Sequence, residues 1–261
     1  MHGIHSTGWW PAPGPGRILR SMRSASVLLA LAGGLTALVL LGLGETPPHP
    51  RETPVGEDPL RWTEDVTRLM VQVGTVERPV VFLGSSSIRR WDSLPEDMAP
   101  LPVLNRGFGG SRIHDSVHWF DALVVPEDPR ALVVFAGTND LSGKEPRSPS
   151  WIASRFEALV RLHKQRLPGV PLVYIAISPT PSRADHLQSV LATNRLIRAR
   201  CSSDPGLVFV DTASALLDGA GRPDPRWFVE DRLHLNADGY AHWTATLRPV
   251  LLELVGAATP E

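Results

Sequence analysis

Four groups of chemically capable residues are spread along this chain of 261 residues. They are the serines at 85–87, a glycine-rich stretch at 105–111, Asn139, and the pair Asp231 and His234. A hydroxyl becomes a good nucleophile when a base removes its proton, and an imidazole oriented by a carboxylate can do this near neutral pH. Backbone N–H groups of a glycine turn and an asparagine amide can stabilise the resulting oxyanion. Together these residue types predict acyl transfer at a serine.

Short apolar runs and longer amphipathic stretches alternate along the chain. They indicate the strands and helices that position the four groups of candidate residues. The apolar runs lie at 80–83, 103–104, 131–136, 172–177 and 207–210. The predicted helices lie at about 61–74, 111–124, 149–167, 185–203 and 237–254. This alternation predicts an α/β fold with a parallel sheet between helices. Ligands of such folds bind beyond the carboxyl ends of the strands, which is where the candidate residues fall.

The order and spacing of the four groups resemble those of the SGNH hydrolases, also called GDSL-type esterases and lipases. The resemblance covers about residues 78–250. It implies that Ser86 is the nucleophile, and that Asp231 and His234 of the Asp-x-x-His block complete a triad. The glycine that matches the family's second block, whose N–H contributes to the oxyanion hole, is Gly110, with Gly109 as the neighbouring alternative. The intact Gly-x-Asn-Asp block implies that Asn139 joins Gly110 and the Ser86 N–H in an oxyanion hole.

The resemblance also implies a fold and a chemistry. We expect a flavodoxin-like three-layer α/β/α domain with a mainly parallel five-stranded sheet. The chain is most similar to the bacterial branch that looks like platelet-activating-factor acetylhydrolase subunits. No metal ion and no organic cofactor is implied.

The nucleophile block departs from the family pattern at one position. Ser85 stands where the family has aspartate, so three consecutive serines compete for the role. Gly84 lies seven residues before Trp91, which matches the family register Gly-Asp-Ser-x-x-x-x-Trp and favours Ser86. Ser85 and Ser87 remain alternatives.

The N-terminal region reads as a leader. Residues 1–23 contain three arginines and no acidic residue, and residues 24–44 carry no charge at all. As a helix, 21 residues extend about 31 Å, enough to cross a bilayer core. The positive flank predicts an uncleaved signal anchor with the rest of the chain outside the cytoplasm; the alternative is a cleaved signal peptide. Residues 45–59 then read as a Pro-rich linker, and 60–261 as one domain.

Composition and minor motifs narrow the function further. Beyond residue 44 the chain has 23 basic and 27 acidic residues, a net charge of −4 that disfavours nucleic-acid binding. Cys201 is the single cysteine, which excludes internal disulfides, and we expect its side chain to be buried in the core.

His114 and His118 lie one helical turn apart; we interpret them as part of a polar helix surface, with a metal site as the alternative. The stretch 178–181 is expected to shape the substrate rim.

The sequence thus predicts a membrane-anchored serine esterase acting on small-molecule, lipid or glycan esters. One alternative is an O-acetyl esterase or acetyltransferase acting on cell-envelope polysaccharide. A second alternative, from another functional class, is a non-catalytic envelope-binding module. No oligomeric state is predicted.

Overall fold

Five parallel strands form the centre of the protein, whose computed structural model describes residues 53–72, 74–143 and 145–256. The strands are β1 (Val80–Gly84), β2 (Val103–Gly107), β3 (Ala131–Phe135), β4 (Leu172–Ile175) and β5 (Leu207–Val210). Their order in the sheet is β2-β1-β3-β4-β5, and every neighbouring pair is parallel. This is the strand order of flavodoxin-like folds, so the predicted α/β architecture is confirmed.

Eight α-helices accompany the strands in the described part of the chain. They are α1 (Thr63–Met70), α2 (Ser86–Arg89), α3 (Leu94–Asp97), α4 (Ile113–His118), α5 (Phe120–Leu123), α6 (Pro149–Arg166), α7 (Leu187–Ser202) and α8 (Ala237–Val255). The helix expected over 111–124 is divided into α4 and α5, because Trp119 between them has φ −90° and ψ 7°, outside helical geometry.

Two apolar clusters cover the two faces of the sheet and make the three layers. Alternate residues of a strand point to opposite faces, so Val81 and Leu83 belong to one cluster while Val80 and Phe82 belong to the other. The first cluster includes side chains from α1 and α4 to α7, and the second includes side chains from α2, α3 and α8. All five residues of β1 and all five residues of β3 are buried, as is expected of strands that helices cover on both faces.

Residues 53–59, which form the end of the predicted linker, contain a buried acidic side chain that is joined to later parts of the chain. The carboxylate of Glu57 is only 2% exposed and accepts hydrogen bonds from Arg112 at 2.9 Å and Arg147 at 2.8 Å. This ion cluster ties the segment to the loops that follow β2 and β3.

The structure does not describe the predicted leader. Residues 1–23 and 24–44 lie outside the described residues, as does the first part of the linker. Within 53–72, 74–143 and 145–256, no helix combines the length and apolar character needed to cross a membrane.

The interpretation of His114 as part of a polar helix surface is wrong. Its side chain is fully buried, because α4 packs against both β1 and α6. Burial lowers the pKa of His114 to about 4, despite the opposing effect of Glu57. The described residues include no group of three side chains suited to a metal ion. Cys201 is buried as predicted, and burial raises the pKa of its thiol to about 11.

Candidate active site

The three serines lie at the carboxyl end of β1, where the chain turns directly into α2. Gly84 has to be glycine, because a Cβ atom there would lie 2.3 Å from the carbonyl oxygen of Phe135. The Ser85 N–H donates to that same carbonyl at 3.2 Å. Ser86 is the first residue of α2. At this position a backbone N–H has no carbonyl partner within its own helix.

The Asp-x-x-His block forms a compact turn before α8. The Oδ1 atom of Asp231 accepts hydrogen bonds from the backbone N–H groups of Leu233 and His234, both at 2.9 Å. Arg232, which follows Asp231, has a φ of +57°, in the left-handed region. These contacts fix the carboxylate relative to the imidazole before any substrate binds.

Ser86, His234 and Asp231 meet in one hydrogen-bonded chain. The Nδ1 atom of His234 lies 2.6 Å from Oδ2 of Asp231, and its Nε2 atom lies 2.7 Å from the Oγ atom of Ser86. The imidazole is largely buried, with 11% of the side chain exposed. This is the arrangement in which an imidazole can take the serine proton while a carboxylate supports the resulting cation.

The carboxylate of Asp231 is held in its ionised form. Burial alone would raise the pKa of Asp231, but hydrogen bonds from the backbone and ring of His234 and from Leu233 outweigh it, and the pKa lies well below its ordinary value. Arg90 at the end of α2 adds a positive charge, with Nη1 3.4 Å from Oδ2. Asp231 is thus charged at neutral pH.

The glycine-rich loop after β2 lies next to the serine turn. Gly110 has a φ of +82°, which favours glycine, and a Cβ atom there would lie 3.0 Å from the ring of Trp62. The next residue, Ser111, accepts a hydrogen bond at its carbonyl from the Asn139 amide at 2.9 Å. Asn139 therefore connects this loop to the loop after β3.

Ser86 and Asn139 line the same small cavity. Its volume is about 10 Å³, roughly the space that one water molecule needs. Gly110 does not line this cavity in the described structure, although its neighbour Ser111 contacts Asn139. The remaining lining residues are Ser85, Ser87, Phe135, Thr138, Ser178, Thr180, Arg183, Leu233 and Leu235. Ser178 and Thr180 are thus buried wall residues rather than parts of an exposed rim.

Sequence reasoning missed Arg183, which lies in the short helical segment Pro181–His186. Its guanidinium donates to the carbonyl of Thr138 at 2.8 Å and to Oδ1 of Asn139 at 3.1 Å. Burial lowers the pKa of Arg183. An arginine in a loop carries no local signal of this role, because its partners lie more than forty residues away in the chain.

Asp140, the residue after Asn139, is fully buried. Its Oδ2 atom accepts a hydrogen bond from the Ile113 N–H at 3.1 Å, at the start of α4. Burial raises the pKa of Asp140 to about 7, although this hydrogen bond opposes the shift. Asp140 therefore joins the loop after β3 to the helix that follows the glycine-rich loop.

Comparison with known proteins gives the family. Residues 72–242 match the GDSL-like lipase/acylhydrolase family. A GDSL lipase of Mycobacterium tuberculosis is 30% identical over 141 residues, which cover 51% of this chain and 54% of the relative. The match therefore spans about half the length of that curated relative.

Solved structures share the fold. A GDSL-like lipase from Bacteroides thetaiotaomicron superimposes with a TM-score of 0.63 at 20% identity, covering 75% of this chain and 98% of the other. A carbohydrate esterase of family 3 from Talaromyces cellulolyticus gives a TM-score of 0.54 at 17% identity, covering 69% and 99%. The family match covers more than half of the residues, and the chain belongs to the GDSL-like lipase/acylhydrolase family.

Proposed function

We propose that this protein is a serine esterase in which Ser86 attacks the ester carbonyl. The observation that carries the proposal is the contact of His234 Nε2 with Ser86 Oγ at 2.7 Å, with Asp231 2.6 Å from the opposite ring nitrogen. His234 takes the serine proton and passes it to the departing alcohol. A water molecule then releases the acyl group with the help of the same base.

The oxyanion formed in this reaction needs hydrogen-bond donors. We assign them to the Ser86 N–H, the Gly110 N–H and the Asn139 amide. The Ser86 N–H is free of intrahelical bonds because of its place at the start of α2. The Asn139 amide nitrogen is held beside the cavity by its bond to Ser111. Loss of one such donor in other enzymes slows catalysis by about 10²–10³-fold.

The cavity size favours esters of short acids. A space of about 10 Å³ beside Ser86 holds about one water molecule, so it does not accommodate a long acyl chain. The same observation supports the second candidate, removal of O-acetyl groups from cell-envelope polysaccharide or their transfer to a sugar hydroxyl, because acetyl is the smallest common acyl group of this kind. Binding of an envelope component without catalysis is the third candidate.

We further propose that the enzyme acts outside the cytoplasm, held by residues 24–44. The support is the uncharged run of 21 residues after three arginines. N-terminal sequencing of the chain recovered from membranes tests this placement. An intact N-terminus supports an anchor, and a chain starting near residue 45 shows a cleaved signal peptide instead.

Hydrolysis assays on the purified full chain test the esterase proposal. We expect turnover of 4-nitrophenyl acetate to exceed that of the octanoate, and a serine-directed phosphonate to label the protein. Ser86→Ala should abolish both, whereas Ser85→Ala and Ser87→Ala should still be labelled. Labelling of Ser86→Ala would refute Ser86 as the nucleophile. A folded protein without labelling or turnover would favour the binding module.

A further inference from the structure

Three buried hydroxyl groups line the cavity beside Ser86. Thr138, Ser178 and Thr180 are 9%, 4% and 3% exposed. None of their side-chain oxygens has a hydrogen-bond partner among the described residues. All three line the cavity, together with Ser86 and Arg183.

Buried hydroxyls without partners are uncommon, since a lost hydrogen bond is not compensated by water. Three of them around one small space indicate that something polar fills it when the enzyme works. Arg183 strengthens this conclusion because its positive charge favours an oxygen acceptor, and the two atoms to which it donates belong to neutral groups. An aliphatic chain in the same space would leave all of these donors unpaired.

The cavity suits the acyl group better than the alcohol. During the reaction the acyl group stays bonded to Ser86 Oγ, whereas the alcohol has to leave for solvent. A space of about 10 Å³ holds a group about the size of one water molecule, so it is too small for the alcohol part of an ethyl or larger ester. A hydroxyl group has nearly the size of a water molecule and can both donate and accept. It therefore fits both the volume and the hydrogen-bonding capacity of this wall.

We propose that the preferred substrates are esters of short 2-hydroxy acids, whose hydroxyl group binds Thr138, Ser178 and Thr180. This inference rests on the proposed function and specifies its acyl group. The hydroxyl would donate to one of the three side-chain oxygens and accept from another. A site built to bind a substrate hydroxyl discriminates strongly against the analogue that lacks it, because its own polar groups are then left unpaired.

The test compares two esters that differ by one group of similar size. Ethyl glycolate carries a hydroxyl where ethyl propanoate carries a methyl group. Acid release by the full chain is followed by pH-stat titration, and each kcat/KM is divided by the rate constant for hydroxide hydrolysis of the same ester. We expect the corrected preference for glycolate to be about tenfold or more.

Variants assign the preference to the wall. Thr180→Val keeps the shape but removes the hydroxyl, so the ratio of kcat/KM for glycolate to kcat/KM for propanoate should fall several-fold. Ser178→Ala provides a second variant with the smallest change in packing. Thr212→Val is the matched control, because Thr212 is also fully buried with an unpartnered hydroxyl but does not line the cavity. Its glycolate preference should equal that of the wild type.

Three results would overturn the inference. A corrected preference near one in the wild type shows that the wall does not recognise a substrate hydroxyl. An equal loss of activity on both esters in Thr180→Val and Ser178→Ala shows that the wall binds a water molecule instead. In both cases hydrolysis itself leaves the esterase proposal standing. If the protein hydrolyses none of the three substrates (ethyl glycolate, ethyl propanoate and 4-nitrophenyl acetate), the proposed function is refuted, and the inference fails with it.

Discussion

The guanidinium of Arg183 donates to the side-chain oxygen of Asn139 at 3.1 Å. The amide oxygen is thereby occupied, and the amide nitrogen is directed to the side of Ser111, where it donates at 2.9 Å. The positive charge also draws electron density from the amide, which makes its N–H groups better donors. Arg183 is therefore a positioning residue for the donor that we assign to the oxyanion hole.

Arg183→Met should lower kcat about 10–100-fold with little change in KM, because the donor is needed mainly in the transition state. In an Asn139→Ala background the same substitution should have little further effect on kcat, since the two residues act as a unit. Steady-state kinetics of both single variants and the double variant test this. Arg195→Met changes an exposed arginine of α7 and is the control. Additive losses would show that Arg183 acts independently of Asn139.

Asp231→Asn should reduce kcat by as much as about 10⁴-fold while leaving the chain folded. The variant side chain removes the charge that supports the His234 cation, and its amide nitrogen can present a donor to Nδ1. Single-turnover kinetics with an activated acetyl ester measure the loss. Asp185→Asn, which changes an exposed carboxylate, should have wild-type kinetics. A loss smaller than about tenfold in Asp231→Asn would exclude Asp231 as the triad acid.

Glu57→Gln should lower the free energy of unfolding by about 2–3 kcal/mol, because Arg112 and Arg147 lose their shared buried carboxylate. Both arginines are about one-fifth exposed, so water compensates part of the loss. Urea unfolding of the two chains provides the measurement. Glu64→Gln removes a 90% exposed carboxylate that pairs with Arg68 at 3.9 Å, and its effect should be close to zero. Equal effects of the two substitutions would contradict a specific role for residues 53–59 in the fold.

Asp140→Asn should become more stabilising as pH rises. Burial raises the pKa of Asp140 from 3.8 to about 7, so the native state keeps a proton that the unfolded state loses between these values. The contribution of Asp140 to stability is thus complete below the unfolded pKa and is lost as pH rises to about 7. Asn is neutral throughout, so its advantage over Asp should grow by on the order of 2–4 kcal/mol between about pH 4 and about pH 8. Urea unfolding at both pH values checks this, and a gap independent of pH would refute it.

The fold was predictable because its signals are local. Buried parallel strands need continuous apolar runs, and all five runs predicted from the sequence correspond to strands. The family blocks follow those runs, so Ser86, Asn139 and His234 could be assigned to one edge of the sheet before any coordinates were known. The division at Trp119 was missed, because a change of backbone angle within an amphipathic stretch leaves the apolar spacing intact.

The sequence by itself determined the α/β fold class with its parallel sheet, the candidate residues and their common edge, since these depend on residue type and on short spacings. The tertiary structure decided which serine oxygen meets His234, and that His114 is buried rather than exposed. It also brought Glu57 to Arg147, ninety positions away, and Arg183 to Asn139, forty-four positions away. Contacts over such separations depend on how loops pack after the sheet has formed, and no local pattern of apolar and polar residues encodes that packing.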